Sequence, residues 1–178
     1  MDFHEMTIAG LTRKLPICSI NDNLNIAAFV MFGDVEITVA SAEHLLKKCP
    51  EFDIIITPEA KSIPLAYEMA RQSGKPYLVA RKVMKLYMTS PLHVTVKSIT
   101  TDKIQSLYLS SEEAETISGK RVLIVDDVIS TGESLLAVKS LAEKAGGKVV
   151  GSAAVLAEGG AANRNDIIFL EPLPLFFK

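Results

Sequence analysis

Two adjacent carboxylates, Asp126 and Asp127, close an apolar run, Val122-Leu123-Ile124-Val125, and are followed by small hydroxyl residues around a glycine, Ser130-Thr131-Gly132-Glu133-Ser134. That arrangement suits a ligand carrying both hydroxyls and a phosphate. Backbone N–H groups at a helix start, helped by the hydroxyls of Ser130, Thr131 and Ser134, can cradle a phosphate. Gly132 lets the main chain approach it closely. The two acids would stand at the carboxyl end of a strand, where open α/β sheets bind ligands. There they could hold sugar hydroxyls, or Mg²⁺ through its waters. The plainer alternative is that the aspartates merely end a strand and that Ser130 or Thr131 caps a helix. Rival phosphate motifs are absent: the chain has neither a G-x-x-x-x-G-K-[ST] loop nor a G-x-G-x-x-G fingerprint. Too few residues follow Arg121 for the receiver domain of a response regulator, whose acidic strand end opens the domain.

The elements that must position these residues alternate between strand and helix. Asp53 to Thr57 is a short β-branched run of the kind buried on both faces of a sheet. Ile63, Ala66, Tyr67 and Ala70 have helical spacing, and the helix should stop at Gly74. Tyr77 to Ala80 and Val122 to Val125 read as further strands, and a helix from Glu133 to Ala145 ends at Gly146-Gly147. Lys148 to Val155 and Ile167 to Leu170 complete the set. This rhythm implies an α/β fold with a mostly parallel sheet flanked by helices, in a single domain. Residues 1–50 read as an irregular mixture, a small N-terminal cap. Residues 84–117 form a long excursion of the kind that serves as a lid. Within it Val94 and Val96 could pair antiparallel with Ser106 to Leu109, and Ser110 with Glu113 could form a capping box.

Composition narrows the class. The chain has 178 residues, 48% hydrophobic and 22% charged, with a net charge of −2. It is too apolar for a disordered chain and too close to neutral for a non-specific nucleic-acid binder. With no Trp and 6% aromatics, a base-stacking RNA platform is disfavoured. Cys18 and Cys49 lack metal or redox spacing and read as free thiols of a cytoplasmic protein. His4, His44 and His93 are scattered. No segment has the features of a signal peptide or is long enough to cross a bilayer. Near-neutrality nevertheless hides a local asymmetry: between Met69 and Thr101 lie Arg71, Lys75, Arg81, Lys82, Lys85 and Lys97 and no acid.

The stretch Val122 to Ser134 resembles the motif by which type I phosphoribosyltransferases bind 5-phosphoribosyl-1-pyrophosphate (PRPP), and the likeness extends from about Asp53 to Leu170. Thr57-Pro58-Glu59-Ala60-Lys61-Ser62 falls where that family has its pyrophosphate loop. Gly74 to Lys82 is similar to a strand of the purine enzymes that ends in a basic pair. The nearest likeness is to adenine phosphoribosyltransferases, with the xanthine enzymes and the effector domain of the bacterial purine repressor sharing the layout. The resemblance implies that Asp126 and Asp127 contact the ribose hydroxyls, and that Ser130, Thr131, Gly132, Glu133 and Ser134 bind the 5′-phosphate. Ala60, Lys61 and Ser62 would meet the pyrophosphate, with Arg81, Lys82 and Lys85 adding positive charge. Asp126, Asp127 and Lys82 would form the catalytic set. Mg²⁺ would be held mainly by PRPP rather than directly by protein. The resemblance further implies that residues 1–50 help to bind the base, that the 84–117 excursion is a flexible hood, and that the protein works as a homodimer.

The base is read less directly. Hypoxanthine-guanine enzymes usually carry Asp at the position of Ser130, and orotate enzymes carry a glycine-rich mobile loop. This chain has no glycine between Gly74 and Gly119. Uracil enzymes usually replace the second acid, whereas Asp127 is present. Adenine salvage is therefore favoured. Adenine enzymes, however, place a glutamate in the hood, and here Asp102 is the only acid between Glu68 and Glu112. Thr95 to Ser110 looks more like the xanthine enzymes, which keeps xanthine or another nucleobase open. Asn25 and Glu158 could read the base edge, or could be ordinary surface polar residues. A different class, a non-catalytic PRPP sensor, would need a DNA-binding segment. Residues 1–50 show no winged-helix pattern and no basic excess.

Overall fold

The computed structural model describes residues 2–97 and 104–178. At its centre is a five-stranded, all-parallel sheet: β4 (Ile54–Pro58), β5 (Tyr77–Ala80), β8 (Arg121–Ile129), β9 (Lys148–Glu158) and β10 (Ile168–Leu173), in the order β10-β9-β8-β4-β5. The inner strands β4 and β8 are buried on both faces, which explains their near-continuous apolar runs, while the edge strands β5 and β10 are only partly covered. Successive residues alternate between two cores: Ile55, Leu123 and Val125 pack into one, Ile54, Ile56, Val122 and Ile124 into the other. Helices α1 (Val35–Leu46) and α2 (Ile63–Ser73) cover the first face, and α4 (Glu133–Lys144) covers the second.

The 84–117 excursion resolves into an antiparallel pair, β6 (Leu92–Lys97) and β7 (Ile104–Leu109), with Val94 opposite Leu107, followed by α3 (Ser111–Ile117). The capping box is present in full: Ser110 Oγ accepts from Glu113 N at 3.1 Å, and Glu113 Oε2 accepts from Ser110 N at 2.8 Å. The pair packs on α4, where Lys144 Nζ donates to the His93 carbonyl at 2.8 Å. Mutual main-chain hydrogen bonds between Tyr108 and Arg81 tie β7 to the segment after β5. Asp102 lies outside the described residues.

Residues 1–50 are not irregular. β1 (Phe3–Ile8), β2 (Leu11–Asn21) and β3 (Leu24–Ala27) form an antiparallel meander, which the C-terminal β11 (Leu175–Phe177) extends along β3. The first turn holds only Ala9 and Gly10, both with positive φ (50° and 81°), the geometry that matches the twist of a tight hairpin. Helix α1 departs from the cap reading as well. It packs against α2 and against β9 and β10, as part of the main layer. Asp34 caps it, accepting from Ile37 N at 3.1 Å, while Arg13 of β2 grips the same carboxylate at 2.7 and 3.1 Å. That guanidinium holds the Asp34 carboxyl below its usual range and fixes the meander to the helix start.

Candidate active site

Because the central sheet is parallel, β4, β5, β8, β9 and β10 all end at one edge. From β4 the chain runs through α2 to β5 on one side. From β8 it runs through α4 to β9 and β10 on the other. The crevice between the ends of β4 and β8 is thus a topological switch point, where α/β sheets bind ligands. A cavity of about 230 Å³ lies there, walled by Pro58 to Ser62 on one side and Asp126 to Gly132 with Ser134 on the other, and Lys82 also lines it.

The β8 side is built by a strand that outlasts its apolar run. Asp126 sits opposite Ala154 of β9, and its Oδ1 accepts from the main-chain N of Asp127 at 2.9 Å. Asp127 is 4% exposed. Burial, and then the neighbouring Asp127 charge, push the Asp126 carboxyl well above the ordinary carboxylate range, against the opposing pull of the Asp127 N–H and the Ser62 hydroxyl. Lys61 Nζ comes within 2.9 Å of Asp127 Oδ2. The approach is electrostatic rather than well directed, since Oδ2 accepts no aligned hydrogen bond among the described residues.

The loop from Ser130 turns into α4 through Gly132, whose φ of 85° is left-handed, a conformation costly for a residue with a Cβ. Neither Ser130 nor Thr131 caps the helix in the usual way. Gly132 is the N-cap, no side-chain cap is made, and Thr131 Oγ1 only reaches Glu133 N at 3.5 Å. The plain reading of these hydroxyls as capping residues therefore fails. Helix α2, which also begins at the cavity, likewise lacks a side-chain cap, whereas α1 and α3 both have one. At α2 the Ile63 N–H already donates to the Ala60 carbonyl and Pro64 has no N–H, so the start of α4, without a side-chain cap at the cavity wall, is the helix end suited to an anion.

The β4 side is a loop stiffened from within. Thr57 Oγ1 donates to Ser62 Oγ at 2.7 Å, and Ser62 Oγ donates to the Pro58 carbonyl at 3.2 Å. The Glu59–Ala60 peptide is cis. Glu59 organises the cations: its Oε2 accepts from Lys82 N at 3.0 Å, and its Oε1 lies 3.6 Å from Arg81 and 3.8 Å from Lys85. The Lys82 N–H, Lys85 and Arg81 together hold the Glu59 carboxyl below its usual value.

The cavity wall thus brings together Ala60, Lys61, Ser62, Lys82, Asp126, Asp127, Ser130, Thr131, Gly132 and Ser134. Glu133 opens α4 beside them, and Arg81 and Lys85 stand behind Glu59. Two sequence candidates lie elsewhere. Asn25 is in β3, opposite Ser19 and Phe176. Glu158 ends β9 just before Gly159, which lines a wider hollow of about 680 Å³ with His4, Met6, Ala162 and Glu171. Sequence reasoning assigned no role to Glu59, although it lies inside the loop already singled out, because the cations it meets come from residues more than 20 positions away. No cluster of three or more metal-ligating side chains occurs among the described residues, and no helix there is long and apolar enough to cross a membrane.

Comparison with known proteins agrees with this geometry. The family model for the phosphoribosyl transferase domain matches residues 34–171. The chain is 35% identical over 118 residues to the adenine phosphoribosyltransferase of Cenarchaeum symbiosum, covering 65% of this chain and 66% of that protein. It is 38% identical over 112 residues to the hypoxanthine/guanine phosphoribosyltransferase of Methanococcus voltae, covering 63% and 56%. Against most of the curated relatives it matches, the chain spans between half and two thirds of their length. The crystal structure of adenine phosphoribosyltransferase from Thermoanaerobacter pseudethanolicus superimposes with a TM-score of 0.68 at 24% identity, covering 96% of this chain and 95% of that one. The Saccharomyces cerevisiae adenine phosphoribosyltransferase, solved with adenine and an imino-altritol bisphosphate, gives 0.62 at 18% identity, covering 95% and 92%. The fold is the type I phosphoribosyltransferase fold, and with the family model spanning most of its length the chain belongs to the phosphoribosyl transferase domain family.

Proposed function

We propose that the protein transfers the 5-phosphoribosyl group from PRPP to a purine base, adenine being favoured, and releases pyrophosphate and the nucleoside monophosphate in purine salvage. The observation that carries this reading is the union, in one cavity at the switch point, of the Asp126–Asp127 pair with the uncapped start of α4. The α4 loop would take the 5′-phosphate, and the aspartates the ribose hydroxyls. Lys61 and Lys82 would face the pyrophosphate, with Arg81 and Lys85 behind. The C1–O bond to pyrophosphate breaks as a ring nitrogen of the base bonds to C1. The intervening state is oxocarbenium-like, so the protein's work is to fix both ends of the substrate, stabilise the departing anion and keep water out. The hood role is assigned to the β6–β7 pair, a reading supported by its main-chain bonds to Arg81 through Tyr108.

Mg²⁺ fits the site in a supporting role. Asp127 Oδ2 is buried without an aligned hydrogen bond, yet the described residues form no closed set of metal ligands. The ion would be held chiefly by substrate oxygens with Asp126 and Asp127 beside it, and when bound it neutralises charge on the leaving pyrophosphate. Of the two base-reading candidates, Glu158, which ends β9 beside the wider hollow, is the one whose position supports the role, whereas Asn25 lines neither that hollow nor the site cavity. Unchanged base preference in Glu158→Ala would remove the assignment. The fully exposed Leu86, with Val83, Met84 and Tyr87, supports a homodimer formed through the segment after β5. The proposed salvage role places the protein in the cytoplasm.

The test is turnover of PRPP and Mg²⁺ with adenine, hypoxanthine, guanine, xanthine, orotate and uracil, read as pyrophosphate and nucleotide release. Adenine should react fastest, and Asp126→Asn with Asp127→Asn should abolish PRPP binding in a folded chain. A 6-oxopurine substrate is the second reading, favoured by the likeness to the Methanococcus voltae protein. No turnover with any base would leave the sensor reading in its place.

A further inference from the structure

Gly132 has a neighbour that the phosphate-loop motif does not contain. A Cβ built on this glycine would fall 2.5 Å from Nη1 of Arg164, so the guanidinium lies directly against the loop's left-handed turn. Arg164 follows the 3-10 turn Gly159–Asn163, between β9 and β10, and its main-chain N donates to Ala161 O at 3.0 Å. Its side chain is not loose. Nε and Nη2 donate to the two oxygens of Asp166 at 2.8 and 2.7 Å, a bidentate fork that fixes the plane of the guanidinium. Nη1, the arm nearest Gly132, takes part in neither bond.

The charges of this pair are unevenly placed. Asp166 is largely exposed while Arg164 is two-thirds covered, so water screens the carboxylate more than the guanidinium beside the loop. The positive end of the pair lies against Gly132 and the negative end lies in solvent.

We propose that Arg164 is a positioning and affinity residue for the phosphate end of the site: clamped by Asp166, it braces the Gly132 turn and places a positive charge beside the loop that opens α4. The inference rests on the reading of that loop as the 5′-phosphate site. Glycine at 132 is required by the left-handed φ of the turn, and its missing side chain leaves room for the guanidinium.

The test is titration calorimetry of the full-length chain with ribose 5-phosphate and, separately, with pyrophosphate, for the wild type, Arg164→Gln and Arg164→Lys. A unit charge about one side chain away in a partly screened site is worth roughly tenfold in affinity. Arg164→Gln should therefore weaken ribose 5-phosphate by about that factor at low salt, and the difference should shrink as salt is raised. Pyrophosphate affinity should stay within about twofold, and Arg164→Lys should recover part of the loss because it keeps charge without the fork. With PRPP and a base, KM for PRPP should rise while kcat holds. Equal ribose 5-phosphate affinity in wild type and Arg164→Gln, or an equal fall for pyrophosphate, would overturn the proposal, as would a wild type that does not bind ribose 5-phosphate. If the wild type binds it in an Arg164-dependent way but turns over no base, the enzymatic reading fails and this one stands. If turnover is normal and indifferent to Arg164, the reverse holds.

Discussion

Replacing Asp126 with asparagine should make the protein more stable at neutral pH while destroying its ligand site. Burial and the adjacent Asp127 hold the Asp126 carboxyl above its ordinary range, whereas in the unfolded chain it titrates near ~3.9. Between those two values the folded state keeps a proton that the unfolded state has released. Stability must therefore fall as pH rises through that window. The slope for one whole proton is about 1.4 kcal/mol per pH unit, so the wild type loses up to about 2.7 kcal/mol between pH 5 and pH 7 on this account. An asparagine carries no such penalty, and its Oδ1 can still accept from Asp127 N as the carboxylate does at 2.9 Å. Urea unfolding of both proteins at pH 5 and pH 7 reads the effect on the Asp126–Asp127 pair, since the groups distant from it are common to the two chains. The gap in favour of Asp126→Asn should widen by ~1–3 kcal/mol on going to pH 7, while ribose 5-phosphate and PRPP no longer bind. A gap that is constant with pH, or that narrows, would refute the claim that the folded protein keeps on Asp126 a proton that the unfolded chain releases.

Lys61→Met removes the cation 2.9 Å from buried Asp127. Since Lys61 itself is half exposed, we expect a loss of only ~1–2 kcal/mol in urea unfolding, together with a higher KM for PRPP. Gly132→Ala forces a Cβ into a left-handed turn and against Arg164; the cost should be ~1–2 kcal/mol, seen as a lower Tm and weaker ribose 5-phosphate binding. Ser110→Ala deletes the capping-box acceptor of α3 and should cost ~1 kcal/mol, with hydrogen exchange rising first in Ser111–Ile117 and binding of ribose 5-phosphate unchanged.

What the sequence revealed follows from how local each signal is. Helix α2 has the bounds that its periodicity and Gly74 imply, and β4 and β8 announced themselves as apolar β-branched runs because an inner parallel strand is buried on both faces. The phosphate loop was legible because its chemistry lies in consecutive residues. The N-terminal meander was not, because its turn is Ala9-Gly10 rather than Asn-Gly, and because Arg13, Lys14 and Pro16 interrupt the apolar pattern of β2. Helix α1 was missed for a related reason: only one of its faces meets the sheet, and Val35 and Val39 on the other are exposed. The neighbour relations of Glu59 with Arg81 and of Arg164 with Gly132 join residues more than 20 positions apart. No pattern along the chain could signal them.

The site's charges explain how a nearly neutral chain can serve a polyanion. In the free protein the charges that line or back the cavity largely neutralise one another: Lys61 approaches Asp127, and Glu59 sits between Arg81 and Lys85. None of these contacts is an ideal salt bridge. Two are 3.6 Å and 3.8 Å long, and the third leaves Asp127 Oδ2 without an aligned bond. Poorly directed pairs are inexpensive to exchange, because the Coulomb attraction they lose is modest while a phosphate or pyrophosphate offers shorter, charge-assisted bonds in return. The same exchange would free Asp127 for ribose hydroxyls at the moment Lys61 turns to the pyrophosphate. On this argument Lys61 couples the two ends of the ligand. In Lys61→Met, ribose 5-phosphate should therefore bind almost as well as in the wild type, while PRPP, which bears both ends, should bind markedly worse. Equal losses for the two ligands would show that Lys61 serves Asp127 alone.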